Sequence, residues 1–438
     1  MWGLVLSAVA GGGLLWGGVR AHRQQRMQVW QDAVELCGLA VEERSGLWGA
    51  GVQELKARSE SLEVRIDDGG GRRGGTRVAV VISGAPDFSG VKIRREVYKP
   101  AWGREIEIGE ESFDRRFYIT GPARLVRALL DDKVRRLMVR VNAKCEIEIV
   151  EGELRAQADD LAIRDLLPLL LELGGRLSQP IDTARRLAEN ARRDPKAGVR
   201  LQNLLLLIRE LPEDPRTVAA LRGARSDSSP RVRLRAAKAL GAEGRDVLLA
   251  LAESGGDDDL SAQAISALER DLPSERARAI LFLALDKRRI ETARACLERL
   301  RQGGETADID ALARVMAREQ GELAVAAALA LGKTGSGAEP PLIQALLGEQ
   351  KDLRVAAAEA LGRVGTAAAV LPLKEVTQRF ALHLELRSAT RQAIAEIQSR
   401  LSDATPGQLS LAGDEAGHLS LAADPAGQLS ISSEDAGR

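Results

Sequence analysis

The stretch Arg231-Val232-Arg233-Leu234-Arg235-Ala236-Ala237-Lys238-Ala239-Leu240-Gly241 is echoed later as Leu353-Arg354-Val355-Ala356-Ala357-Ala358-Glu359-Ala360-Leu361-Gly362. The last leucine of the phrase serves as a ruler. Equivalent apolar positions fall at Leu207, Leu240, Leu268, Leu297, Leu331, Leu361 and Ile394. A spacing of about 30 residues is the signature of helix pairs that stack. In each unit a first helix carries Ala and Leu at i, i+3, i+4 and i+7, as in Val325-Ala326-Ala327-Ala328-Leu329-Ala330-Leu331. A breaker such as Pro273, Gly332 or Gly362 follows, and then a second helix, as over 341–347 or 370–376. One pair cannot bury its apolar face alone, so it presses on the next. Alanine lets backbones approach closely at little cost in helix propensity.

This pattern resembles the HEAT repeat family in its short bacterial form, over residues 195–401. Asp352-Leu353-Arg354 resembles that family's Asp-x-Arg ladder between repeats. Asp227 with Arg231 and Arg233 is a looser version. The resemblance implies an α-solenoid of about seven repeats with atypical end units. Its groove would bind a protein partner, and Arg231, Arg233 and Arg354 are candidate contacts.

Aromatic residues mark a change of core along the 438-residue chain. All five Trp lie at or before Trp102, and beyond Tyr118 only Phe282 and Phe380 remain. An aromatic and β-branched core is therefore expected first, and an Ala/Leu core second. The formal net charge of +0 argues against a nucleic-acid partner. Cys37, Cys145 and Cys296 form no CxxC pair and read as small buried hydrophobes.

Trp2 to Val19 contains no charged residue, and Arg20, His22, Arg23 and Arg26 follow. Its length matches a bilayer core of about 30 Å, which predicts a transmembrane anchor over 1–23. No Lys or Arg precedes it, so a single-pass protein with a cytoplasmic body is expected.

Residues 24–157 read as an α+β domain. A helix is expected over 24–43, with Val29, Ala33, Leu36 and Ala40 on one face. Alternating runs follow at 62–66, 77–82, 91–93, 105–108, 116–119 and 145–149. They predict about six antiparallel strands, with one helix over 122–139 laid on them. Gly109-Glu110-Glu111-Ser112-Phe113-Asp114-Arg115-Arg116-Phe117 and Leu129-Leu130-Asp131-Asp132-Lys133-Val134-Arg135 resemble a module of uncharacterised bacterial membrane-tethered proteins. That resemblance implies no activity. On the residues themselves, Phe113 and Phe117 plug the core and Asp114 turns the chain. Residues 158–194 form a helical linker.

Two motifs fail on context. Gly69-Gly70-Gly71-Arg72-Arg73-Gly74 matches a dinucleotide fingerprint in letters, but a strand follows it where a helix is required. Gly332-Lys333-Thr334 resembles the end of a phosphate-binding loop, yet it closes a helix, so its amides are already bonded. Only His22, His383 and His418 exist, in separate regions, so no local His-based metal site or triad assembles.

After 401 the pattern changes to Leu409-Ser410-Leu411, Leu419-Ser420-Leu421 and Leu429-Ser430-Ile431, each preceded by Gly-x and separated by acidic spacers. A disordered tail over 402–438 is expected. Its apolar-Ser-apolar copies suit multivalent strand addition to another protein, through Leu409, Leu411, Leu419, Leu421, Leu429 and Ile431.

Together these readings predict a multidomain chain: a membrane helix, a small α+β domain, an all-α HEAT-type solenoid and a disordered tail. The expected function is a membrane-anchored scaffold that binds a protein partner. It would be no enzyme and would have no catalytic, cofactor or metal residues, no small-molecule substrate and no nucleic acid. The alternative is an enzyme or enzyme-associated chaperone similar to bilin lyases.

Overall fold

The computed structural model describes residues 21–45, 52–68, 75–82, 86–96, 105–302, 305–402, 409–411 and 419–421. The described chain is mostly helical, with a sheet near its N-terminal end, and divides into Met1–Leu240 and Gly241–Arg438. Among the described residues no helix is long and apolar enough to cross a membrane. The anchor expected over 1–23 and the single-pass, cytoplasmic placement built on it find no support in the described helices. Residues 1–20 themselves lie outside the described residues, as does the Gly-rich stretch 69–74.

The first unit opens with helix α1 over 21–36. It buries Met27, Trp30, Ala33 and Val34, while Leu36 is 76% exposed. The expected stripe through Leu36 and Ala40 is thus corrected, because Gly38 takes a positive φ and ends the helix before Ala40. The strands are β1 (Ala40–Ser45), β2 (Glu54–Arg58), β3 (Leu62–Asp67), β4 (Thr76–Ile82), β5 (Lys92–Arg95), β6 (Phe117–Thr120), β7 (Glu146–Val150) and β8 (Glu153–Ala158). They form one eight-stranded sheet, ordered β1-β2-β3-β4-β8-β7-β5-β6. All its pairings are antiparallel. Period-2 alternation sends Leu62, Val64 and Ile66 inward and Glu63, Arg65 and Asp67 outward. Residues 105–108, expected as a strand, carry no ladder, although the Ile106 amide donates to the Ile119 carbonyl at 2.9 Å.

The short helix α2 (Glu111–Asp114) brings Phe113 against Phe117, with ring centroids 4.8 Å apart and both residues 1% exposed. The single helix expected over 122–139 is two, α3 (Ala123–Leu129) and α4 (Asp132–Asn142). Asp131 is the reason: its carboxylate accepts from the Val134 amide at 2.9 Å and starts a new helix. Helix α5 (Ile163–Leu177) packs its Leu166, Leu170, Leu173 and Leu177 side chains into the same core, and Gly174 sits against Val80 and Leu62. Helices α6 (Thr183–Arg193), α7 (Ala197–Glu210), α8 (Pro215–Ala224) and α9 (Pro230–Leu240) complete the unit around Leu187, Leu204, Leu207, Leu221 and Val232.

Two features lock the sheet region to α7. Gly109 and Gly198 meet backbone to backbone: a Cβ on Gly198 would lie 2.1 Å from the Gly109 carbonyl oxygen. Beside them Arg135, 1% exposed, grips Asp194 through Nη1 and Nη2 at 2.9 and 3.0 Å. Its Nε donates to Glu110 at 2.8 Å. Burial opposes the charge of Arg135, but these bonds outweigh it and hold its pKa above the ordinary value. Asp114 accepts from the Ile108 and Gly109 amides, both at 2.9 Å, and so shapes the loop that meets Gly198.

The second unit contains α10 (Arg245–Glu253), α11 (Asp258–Leu268), α12 (Ser274–Asp286), α13 (Ile290–Leu300), α14 (Thr306–Arg318), α15 (Glu322–Leu331), α16 (Glu339–Leu347), α17 (Lys351–Val364), α18 (Ala367–Arg379) and α19 (Leu384–Ser402). Odd-numbered helices pack in one row (α11, α13, α15, α17, α19) and even-numbered ones in another (α12, α14, α16, α18). Every ruler residue beyond Leu240 lies on the odd row. Carboxylates tie successive pairs. Asp258 accepts from the Glu291 and Thr292 amides at 3.0 and 2.8 Å, and Glu339 accepts from the Thr366 amide at 2.9 Å. Both carboxylates satisfy orphan donors at the start of the next odd or even helix.

Leu409–Leu411 and Leu419–Leu421 form strands β9 and β10, paired antiparallel with Ser410 opposite Ser420. The third copy, with Leu429 and Ile431, lies outside the described residues.

Candidate functional site

In the second unit the odd row presents a groove of about 590 Å³. Helices α11, α13, α15 and α17 line it. Its floor is built from small and aliphatic side chains: Ala262, Ala295, Leu297, Ala326, Leu329 and Ala330. This follows from the sequence pattern. Helices that must touch along their length need small residues at the contact, so the facing row is rich in alanine. Gly332 shows how close the approach is: a Cβ there would lie 2.8 Å from Cα of Ala360.

Charged residues edge the floor. Arg294 donates to Glu322 at 2.7 Å, and Arg301 pairs with Glu298. Lys333, Glu359 and Arg363 also line the groove, and none of them has an ion pair among the described residues. Lys333 and Arg363 sit at the C-terminal ends of α15 and α17, where cations suit the helix dipole. The groove therefore combines an apolar strip with two cations, Lys333 and Arg363, and one carboxylate, Glu359, that have no ion pair among the described residues.

The residues singled out from the sequence lie elsewhere. Arg231 is exposed at the start of α9, and Arg233 donates to the Asp227 carbonyl at 2.7 Å. Asp227 itself pairs with Arg200, through Nη2 and Nε both at 2.7 Å, so the ladder partner is Arg200 rather than Arg231. Burial raises the Asp227 carboxyl, yet the bond from Arg200 wins and holds it below its ordinary value. Neither Asp352 nor Arg354 has an ion pair among the described residues, so no ladder between repeats forms there. Arg354 is 8% exposed and stacks over the Phe380 ring, 4.1 Å from the centroid. Leu409, Leu411, Leu419 and Leu421 belong to β9 and β10.

The thiols are unsuited to nucleophilic work. Burial pushes Cys145 up to about 11 and Cys296 up to about 12. Gly332 donates its amide to the Ala328 carbonyl at 3.1 Å, so the Gly332-Lys333-Thr334 amides do not open toward a phosphate. Among the described residues no group of three or more His, Cys, Asp or Glu is placed to hold a metal ion.

No family model matches the chain, and no curated protein matches it. Solved structures do. Human deoxyhypusine hydroxylase, in complex with glycerol, is similar at 20% identity and a TM-score of 0.27, covering 55% of this chain and 91% of that one. A chain from the complex of CpcE and CpcF of phycocyanin lyase, from Nostoc sp. PCC7120, is similar at 19% identity and a TM-score of 0.28, covering 50% and 96%. They are named as a hydroxylase and as part of a lyase, and the expectation of a chain that is no enzyme is not kept. At these identities and TM-scores neither carries its activity over.

Proposed function

We propose that the second unit is a HEAT-type binding module that holds a segment of a protein partner in the groove of its odd helices. The observation that supports this is the groove itself: an Ala/Leu floor spanning four successive repeats, edged by Lys333 and Arg363 without carboxylate partners. A segment with an apolar strip of small side chains and an acidic edge fits that surface. Apolar contact supplies most of the affinity, and the cations set register and speed encounter.

The test is to fill the groove without unfolding it. Ala326→Trp places a large ring on the half-buried floor. The partner that co-purifies with the native chain is identified, and its affinity for purified protein is then measured. Ala326→Trp weakens it by about a hundredfold, in the manner of a blocked hot spot, and Lys333→Glu/Arg363→Glu by about tenfold. Unchanged affinity in both variants, with native circular dichroism, removes the groove from the account.

A further inference from the structure

The turn between α12 and α13 carries three consecutive cations, Lys287, Arg288 and Arg289. Opposite it runs the loop between α10 and α11, with Gly255 at φ +67° and Gly256. A side chain starting at Gly255 would have its Cβ 3.5 Å from Nη1 of Arg289 and 3.6 Å from Nζ of Lys287. Two cationic groups thus converge on one spot that glycine leaves empty. Arg289 is only 8% exposed, and its Nε and Nη2 are buried without a hydrogen-bond partner.

The nearby carboxylates are committed elsewhere. Glu253 pairs with Arg276 at 3.4 Å and Asp286 with Arg318 at 3.3 Å. Asp257 caps the Leu260 amide at 3.1 Å, and Asp259 accepts from Gln263 at 2.8 Å. Asp258 comes nearest to Arg289, at 3.9 Å, but it spends its oxygens on the Glu291 and Thr292 amides and the Thr292 hydroxyl. Lys287 and Arg288 have no ion pair among the described residues. Like charges held together in this way are stabilised when an anion sits between them.

We infer that the Gly255 loop and the Lys287–Arg289 turn form a binding site for a phosphate-type oxyanion. The planar guanidinium of Arg289 supplies a directional donor and Lys287 a point charge, the pair that a tetrahedral dianion uses best. The oxyanion is either free phosphate or a phosphoryl group on a peptide. The site adjoins the groove through Glu291, yet it does not depend on the groove being filled.

The full chain is titrated with inorganic phosphate, with a capped Ala-phosphoserine-Ala peptide and with its unphosphorylated form, at constant ionic strength, and read by ³¹P line width and melting temperature. Saturable binding of phosphate or phosphopeptide is expected, with none for the unphosphorylated form. Lys287→Ala, an exposed position, weakens it about tenfold, the loss of one charge-assisted bond. Gly255→Asp, a residue that tolerates positive φ, puts a carboxylate between the cations. It abolishes phosphate binding and raises the melting temperature. A phosphopeptide that binds tenfold tighter than phosphate identifies a protein-borne group; equal affinity identifies free phosphate. Absence of saturable binding, or binding indifferent to both substitutions (an adventitious ion only), overturns the inference.

Discussion

The sheet region of the first unit and the helix rows of the second solve the same problem by different means. The sheet core joins residues far apart in sequence, such as Trp30 with Thr76, whose side chains bond at 3.0 Å, and Arg135 with Asp194. Each of its key contacts occurs once. The helix rows instead repeat one contact: a small residue on an odd helix against the next odd helix, as at Gly332 on Ala360 and Gly362 on Ala393. A non-repeated core fails as a whole when one contact is lost. A repeated array fails locally, since each pair touches only its neighbours.

The sharpest way to break this comparison is at the glycine pair of the first unit. Gly198→Leu forces a side chain into the Gly109 backbone, and about 4 kcal/mol or more should be lost across the first unit. Urea unfolding followed by tryptophan fluorescence reads this, because all five Trp precede Leu240. Next comes Arg135→Ala, which leaves Asp194 buried without its partner. The expected loss is about 3–5 kcal/mol, whereas Arg135→Met with Asp194→Asn together should recover much of it.

In the helix rows the expected effect is smaller and confined. Gly332→Ala pushes on Ala360 and costs about 1–3 kcal/mol. Hydrogen exchange should quicken in α15 and α17 while α5 and the sheet keep their protection; uniform quickening would contradict a nearest-neighbour array. Acid reads the inter-repeat carboxylates. Asp227 and Asp258 have pKa values lowered in the fold. Their contribution is therefore complete above the ordinary carboxylate range and is lost as the pH falls through the lowered values. Asp258→Asn should flatten that acid limb in a plot of urea midpoint against pH. The smallest effect is a gain: Gly175, inside α5 with open space around it, accepts alanine with about 0.5–1 kcal/mol of stabilisation.

How much the sequence disclosed follows the same division. The odd helices from α7 to α19 were legible because a ruler residue returns in each, a leucine in all but α19, where it is Ile394. The alternating sheet strands β3 and β7 were equally plain, as was β4, where Val78, Val80 and Ile82 face inward although Ala79 is buried too. β1 and β2 were not: β1 is an edge strand with an exposed, charged face, Val41-Glu42-Glu43-Arg44, and β2 has only two inward residues, Leu55 and Ala57. The break between α3 and α4 hides in a single aspartate cap.

A groove was expected, but its lining residues were not named, although a signal for them exists. Two residues before the ruler stand Ser266, Ala295, Leu329 and Glu359, and all line the groove. Two after it stand Lys333 and Arg363, which do as well. The arginines of the repeated phrase lie away from it: Arg231 is exposed at the start of α9, Arg233 is spent on a loop carbonyl and Arg354 on Phe380. Arg200, the ladder partner of Asp227, lies outside the phrase, and no pattern within one repeat names it.

The central claim is that a protein partner lies in the groove of the odd helices. A photo-crosslinking residue placed in turn at Ser266, Ala326 and Glu359, and at the exposed even-row positions Ala317 and Gln344, tests it in living cells. The account predicts the same discrete adduct from the three groove positions, lost when Ala326→Trp is combined with a probe at Ser266, and none from the even row. Adducts of equal yield from both rows, or from the even row alone, would contradict it.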